Sequence, residues 1–164
     1  MHIKPEFKFS ARTIHILLAD DDEDDRLFFK EALDELGLPV QLTMVENGEQ
    51  LMAHLSKKRN KVPDVLFLDL DMPLKNGFAC LAEIKLDERL QRLPVIILST
   101  FFDEDMLNLV YKDAAHYYIR KPTDLTQLKK VLLEALTLIS QKNIPLPAKA
   151  GFILAGNILT SGWK

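Results

Sequence analysis

The sequence predicts an α/β fold, a doubly wound (βα)5 sandwich around a parallel sheet. Short runs rich in Val, Ile and Leu recur along the chain, amphipathic stretches separate them, and several of those stretches open on an Asp or Asn suited to capping. Strands buried on both faces by helices read in this way, as near-continuous apolar runs alternating with helical patterns.

The first run, 14–19, reads Ile-His-Ile-Leu-Leu-Ala and leads into a helix at 24–36, with Phe29, Leu33 and Leu36 on one face and Gly37 as its stop. A strand at 40–45 and a helix at 49–58 follow. The third strand, 65–70, is Val-Leu-Phe-Leu-Asp-Leu and precedes a helix at 76–87. Strands at 95–98 and 117–120 and helices at 103–112 and 124–141 complete the alternation. No repeat or low-complexity segment interrupts it.

With 164 residues, 48% of them hydrophobic and 27% charged, the chain suits one domain with a substantial core and a small appendage. The expected division is an N-terminal extension at 1–12, the domain at 13–141, and a C-terminal tail at 142–164 too short for an output domain. Pro145 and Pro147 end the last helix, and Phe152, Ile153, Leu154, Ile158, Leu159 and Trp163 give the tail an apolar character. Such a tail either packs back on the domain or extends an interface, with disorder as the expectation.

A net charge of -3 with no basic stripe argues against nucleic acid as a direct partner. Cys80 is the single cysteine, and His2, His15, His54 and His116 lack metal-ligand spacing. The N-terminus has no signal-peptide core, and the most apolar helical stretch, 131–139, is interrupted by Glu134. A soluble protein of the cytoplasm, without membrane contact, is the expectation.

Six consecutive acids, Asp20 to Asp25, follow the first strand. For Asp22, Glu23, Asp24 and Asp25 the reading is a solvated helix start favoured by the helix dipole. Asp20 and Asp21 have another option. In a sheet of order 2-1-3-4-5 the first and third strands are neighbours, and ligands bind beyond their carboxyl ends. Asp20, Asp21 and Asp69 then converge, an arrangement that a hard divalent cation such as Mg2+ makes tolerable.

The ends of the fourth and fifth strands face the same crevice and bring Ser99 with Thr100, and Lys121. Hydroxyl and ammonium donors around a metal-bound carboxylate suit a phosphorylated aspartate, with Asp69 as the nucleophile. Each residue also has a plainer explanation. Ser99 and Thr100 can cap the next helix, Lys121 can be a surface lysine before a proline, and an aromatic such as Tyr118 is ordinarily core. An Asp closing a buried apolar run is harder to dismiss.

Taken together, Asp20-Asp21, the segment LDLDMPLKNG with Asp69, Pro73 and Gly77, the pair Ser99-Thr100, and Lys121-Pro122 resemble the receiver domain of two-component response regulators. The resemblance covers 13–141 and implies a flavodoxin-like, single-domain, chemotaxis-regulator-like protein of bacterial type. It implies an aspartyl phosphate on Asp69, with Asp21 and Asp69 binding Mg2+ directly, Asp20 through water, and the Asp71 carbonyl as a further ligand. Ser99 and Lys121 would contact the phosphoryl group, Tyr118 would be the aromatic switch with Ser99, and Asp71, Thr100 and Phe101 would set the lifetime of the phosphate. Tyr117 departs from the glycine frequent in receivers at that position.

The implied partners are a sensor histidine kinase or a histidine phosphotransfer protein, and then a downstream protein target or a second copy docking on the face of helix 4, strand 5 and helix 5. The chain would promote its own phosphorylation and dephosphorylation without turning over a separate substrate. Two rival readings are a phosphohydrolase of the haloacid-dehalogenase type, with Asp69 and Asp71 as nucleophile and acid, and a pseudo-receiver that binds without phosphorylation. The first conflicts with an acidic pair that precedes the nucleophile, and the complete residue set counts against the second.

Overall fold

A computed structural model of the chain describes residues 12–100, 103–141 and 146–156. It has five strands and five helices in strict alternation, β1 (Ile14–Ala19), α1 (Glu23–Leu36), β2 (Val40–Val45), α2 (Gly48–Ser56), β3 (Val65–Leu68), α3 (Gly77–Leu86), β4 (Val95–Ser99), α4 (Glu104–Lys112), β5 (Tyr117–Arg120) and α5 (Leu125–Ile139), followed by a short strand β6 (Ile153–Leu154). All pairings are parallel, and the order is β2-β1-β3-β4-β5-β6. The expected 2-1-3-4-5 order is present, with β6 added beyond β5.

Side-chain alternation divides the core. Ile14, Ile16 and Leu18 of β1 point with Phe67, Ile96 and Ile119 towards α1 and α5, where Phe29, Leu33, Leu128 and Leu132 meet them. Leu17 and Ala19 point the other way, with Leu66, Leu68 and Ile97, towards Leu51, Leu81 and Leu107 of α2, α3 and α4. The period of two along each strand produces two buried layers from one sheet. The rings of Phe29 and Phe67 lock the first layer edge to face, 5.1 Å apart.

Helix starts follow the capping chemistry. The side chains of Asp22, Asn47, Asn76, Asp103 and Asp124 each accept from a backbone N–H of the helix that follows. Gly37, at φ +64°, closes α1 in the left-handed conformation. No helix among the described residues is long and apolar enough to cross a membrane.

The tail differs from expectation. Rather than being disordered, the part containing Phe152, Ile153 and Leu154 is built into the domain: β6 pairs with β5 in the register Tyr118↔Ile153 and Ile119↔Leu154. Phe152 is 0% exposed, with its ring 5.2 Å from that of Tyr111 and 6.4 Å from that of Tyr118. The Tyr118 N–H donates to the Phe152 carbonyl at 2.9 Å, and Gln127 Nε2 donates to the Ala155 carbonyl at 2.6 Å. A single buried aromatic removes enough apolar surface from water to fix a segment that sequence periodicity leaves unassigned. Ile158, Leu159 and Trp163 lie outside the described residues.

Candidate functional site

The crevice forms where β1 and β3 end side by side, Ala19 opposite Leu68. The chain leaves β3 at Asp69, whose N–H still donates to the Ala19 carbonyl at 2.9 Å, so the carboxylate is held against the end of β1. Gly77 makes the return possible. A Cβ there would lie 2.3 Å from the Asp69 carbonyl oxygen, and the Gly77 N–H donates to the Leu70 carbonyl at 3.0 Å. Any larger residue would push the loop after Asp69 away from the sheet.

Asp20, Asp21 and Asp69 each place a carboxylate oxygen within 4.8 Å of the other two. Asp20 and Asp69 are buried at 1% and 5% exposure, while Asp21 is open to solvent. An all-oxygen cluster of this spacing with one open side fits a hard divalent cation that keeps water or phosphate oxygens as its remaining ligands. Arg26 braces the cluster from behind, its Nη1 donating to the Asp20 carbonyl at 2.9 Å. Asp71 is exposed, and its N–H donates to Asp69 Oδ1 at 3.2 Å.

Lys121 closes the crevice from the end of β5. Its Nζ lies 2.8 Å from Asp20 Oδ2, 2.8 Å from Asp25 Oδ2 and 3.4 Å from Asp69 Oδ2. Asp25 is therefore not only a solvated acid of the helix start. Sequence reading missed its contact because the partner lies 96 positions away.

The electrostatics follow from this packing. Burial pushes the Asp69 carboxyl up to about 7, with Lys121 pulling it down and the Asp20 charge pushing it further up. Burial alone would lower the Lys121 ammonium, but hydrogen bonds to Asp20 and Asp25 and the charges of Asp69 and Asp20 outweigh it and hold it above its ordinary value. Asp69 thus gains strongly from any positive charge that joins Lys121.

Ser99 ends β4, fully buried, and shares a hydrogen bond with the Tyr118 hydroxyl; Thr100 beside it is exposed. The Tyr118 ring is itself fully buried and covered by Phe152. Asp103, not Ser99 or Thr100, caps α4. Phe101 lies outside the described residues.

A model of the response regulator receiver domain matches residues 16–133. The chain belongs to this family. Response regulator Rcp1 of Synechocystis is 30% identical to this receiver over 137 residues, covering 81% of this chain and 92% of Rcp1. The DNA-binding transcriptional regulator NtrC of Salmonella typhimurium is 33% identical over 130 residues, but that match spans 26% of NtrC. Among solved structures, the Mn(2+)-bound form of Rcp1 aligns with a TM-score of 0.69 at 29% identity, covering 82% of this chain and 99% of that one. The phosphorylated cyanobacterial phytochrome response regulator RcpA aligns with a TM-score of 0.71 at 32% identity, covering 84% and 100%.

Proposed function

We propose that this receiver accepts a phosphoryl group on Asp69 from a phosphohistidine of a sensor kinase or phosphotransfer protein, with Mg2+, and signals through phosphorylation-dependent protein contacts. The observation that carries the reading is the convergence of Asp20, Asp21 and Asp69 oxygens within 4.8 Å, with Lys121 Nζ 3.4 Å from Asp69. A nucleophilic carboxylate, acceptor oxygens for one cation and an ammonium are the parts that phosphoryl transfer needs.

In this reading an Asp69 oxygen attacks phosphorus, the P–N bond to the donor imidazole breaks, and the imidazole leaves. Asp21 and Asp69, with Asp20 through water and the Asp71 carbonyl, would hold Mg2+, which would supply positive charge near the transferring oxygens. Lys121 and the Ser99 hydroxyl donate to the phosphoryl oxygens. Moving Ser99 to that group takes it from the Tyr118 hydroxyl, and because Tyr118 packs against Phe152, whose ring also meets Tyr111 of α4, the change passes to β5, α4 and the tail. A target or a second copy would dock on the α4–β5–α5 side, where β6 lines the edge of β5 and forms part of the surface offered. Phe101, Thr100 and Asp71 stand at the positions that would govern hydrolysis, and an apolar Phe101 favours a long-lived phosphate.

The test is incubation with a small phosphodonor and Mg2+. Wild type should acquire acid-labile phosphate and Asp69→Asn none; undiminished labelling of the variant would overturn the assignment. Following phosphate loss from wild type and Phe101→Glu checks the lifetime, since the polar variant should lose phosphate about tenfold or more faster.

A further inference from the structure

Of the four acids Asp22 to Asp25, which read as a solvated helix start, Asp25 reaches Lys121 outside its own segment. Asp22 caps α1 and accepts from the Asp25 N–H at 3.0 Å, while its own N–H donates to Asp20 Oδ1 at 3.0 Å. These two bonds fix the backbone of Asp25 in the first turn, and its carboxylate meets Lys121 Nζ at 2.8 Å. Its neighbour Asp24 points to solvent. Asp25 also lines, with Asp20, Phe28, Phe29, Leu98 and Lys121, a cavity of about 20 Å³.

An ammonium has three N–H donors, and those of Lys121 face three carboxylates, Asp20, Asp25 and Asp69. A phosphoryl oxygen can therefore gain a bond from Lys121 only if one carboxylate gives its bond up. Asp20 is buried at 1% and would be left without compensation, whereas the Asp25 side chain is 41% exposed and can return to water. Asp69 is the group being phosphorylated, and its acyl phosphate keeps Lys121 close. The least costly exchange is at Asp25.

We propose that Asp25 is a positioning residue for phosphoryl binding: it parks the Lys121 ammonium beside the crevice and is the partner displaced when a phosphoryl group arrives on Asp69. The inference rests on Asp69 as phosphoacceptor. Its consequence is that binding of a phosphoryl group to wild type includes the cost of breaking the Lys121–Asp25 contact. Removing Asp25 deletes that cost and leaves one Lys121 N–H ready for the ligand.

The experiment measures the midpoint for beryllofluoride, a stable phosphoryl mimic, by 19F NMR in excess Mg2+, together with the 15N signal of the Lys121 ammonium. Asp25→Asn and Asp25→Ala should bind about threefold to tenfold more tightly than wild type, the size of one charge-assisted hydrogen bond at a half-exposed site. Asp25→Glu should return the midpoint towards wild type. The Lys121 signal should shift on beryllofluoride addition in wild type and begin nearer its bound value in Asp25→Asn. Asp24→Asn removes the same charge without the contact and should leave the midpoint within about twofold. Equal effects of Asp24→Asn and Asp25→Asn, or an unchanged midpoint in Asp25→Asn and Asp25→Ala, would overturn the inference. Absence of any beryllofluoride signal in wild type would instead refute the phosphoacceptor assignment.

Discussion

The carboxyl end and the outer edge of β5 meet opposite kinds of chemistry. At its carboxyl end Lys121 enters a crevice where two buried carboxylates face each other, and burial pushes Asp69 up to about 7. Along its outer side Tyr118 meets Phe152, fully buried, under a strand added by the tail. The crevice is held in a state that costs stability until a cation or proton arrives, while the tail seam contributes stability by burying an aromatic. The seam holds β5 in place beside a crevice whose charges respond to a cation or proton.

The largest expected effect breaks the seam. Phe152→Ala should cost up to about 3–5 kcal/mol of unfolding free energy, as large-to-small changes at buried aromatics do. Urea denaturation checks it, and a loss under about 1 kcal/mol would mean that the seam stabilises no more than a surface loop does.

The next prediction concerns the crevice. The Asp69 carboxyl is raised in the folded state, so its contribution to stability is fully present below the unfolded value of 3.8 and is lost as pH rises through about 7. Chelator-treated protein should accordingly lose a few kcal/mol from this group between those limits, and Asp69→Asn should not. His116 opposes this: burial and the nearby Lys85 lower it to about 4, so stability is lost as pH falls from about 6.5 through about 4. The Asp69→Asn profile should retain that acid limb. Denaturation midpoints measured across this pH range decide the matter.

Metal sharpens the same contrast. Mg2+ at 100 times its dissociation constant should stabilise the wild type by about 2.7 kcal/mol at neutral pH, and the effect should shrink in Asp21→Asn. A Phe152→Ala protein should keep the full increment, since Phe152 packs on Tyr111 and Tyr118 rather than on Asp20, Asp21 or Asp69. Thermal melts with Mg2+ or chelator measure both.

The smallest effect is at Gln127, whose side-chain amide holds the Ala155 carbonyl. Gln127→Ala should cost about 0.5–1.5 kcal/mol and speed hydrogen exchange at the Tyr118 amide, which is bonded to Phe152, without altering the Mg2+ increment.

Much of this architecture was legible in the chain. The strands Ile14–Ala19, Val40–Val45 and Tyr117–Arg120 match their runs end to end; β1 and β5 are buried along most of their length, whereas the edge strand β2 is mostly half-buried or exposed and is held by its pairing with β1. The third strand stops at Leu68, short of residue 70, because Asp69 and Leu70 are drawn into the turn that Gly77 closes. Helix starts moved by one residue where the capping side chain itself stands outside the helix. Asp20, Asp21 and Asp69 converge because strand ends are places that topology alone specifies. Two features were not legible. β6 has two residues, too few for any periodicity, and its place depends on Phe152 finding Tyr111 and Tyr118. The contact of Asp25 depends on which way one carboxylate of a helix turn points, and composition carries no such direction.

The sixth strand has a consequence for the behaviour of the protein in concentrated solution. Without it, Tyr117–Arg120 would form the rim of the sheet and present unpaired amides and carbonyls beside aromatic side chains, a template on which another chain could add. Two residues of the tail are enough to occupy that template, and they are too few to offer a long one in turn. With the added strand, that side of β5 is already paired at Tyr118 and Ile119. Any partner that seeks β5 itself must first displace the chain's own carboxyl-terminal segment.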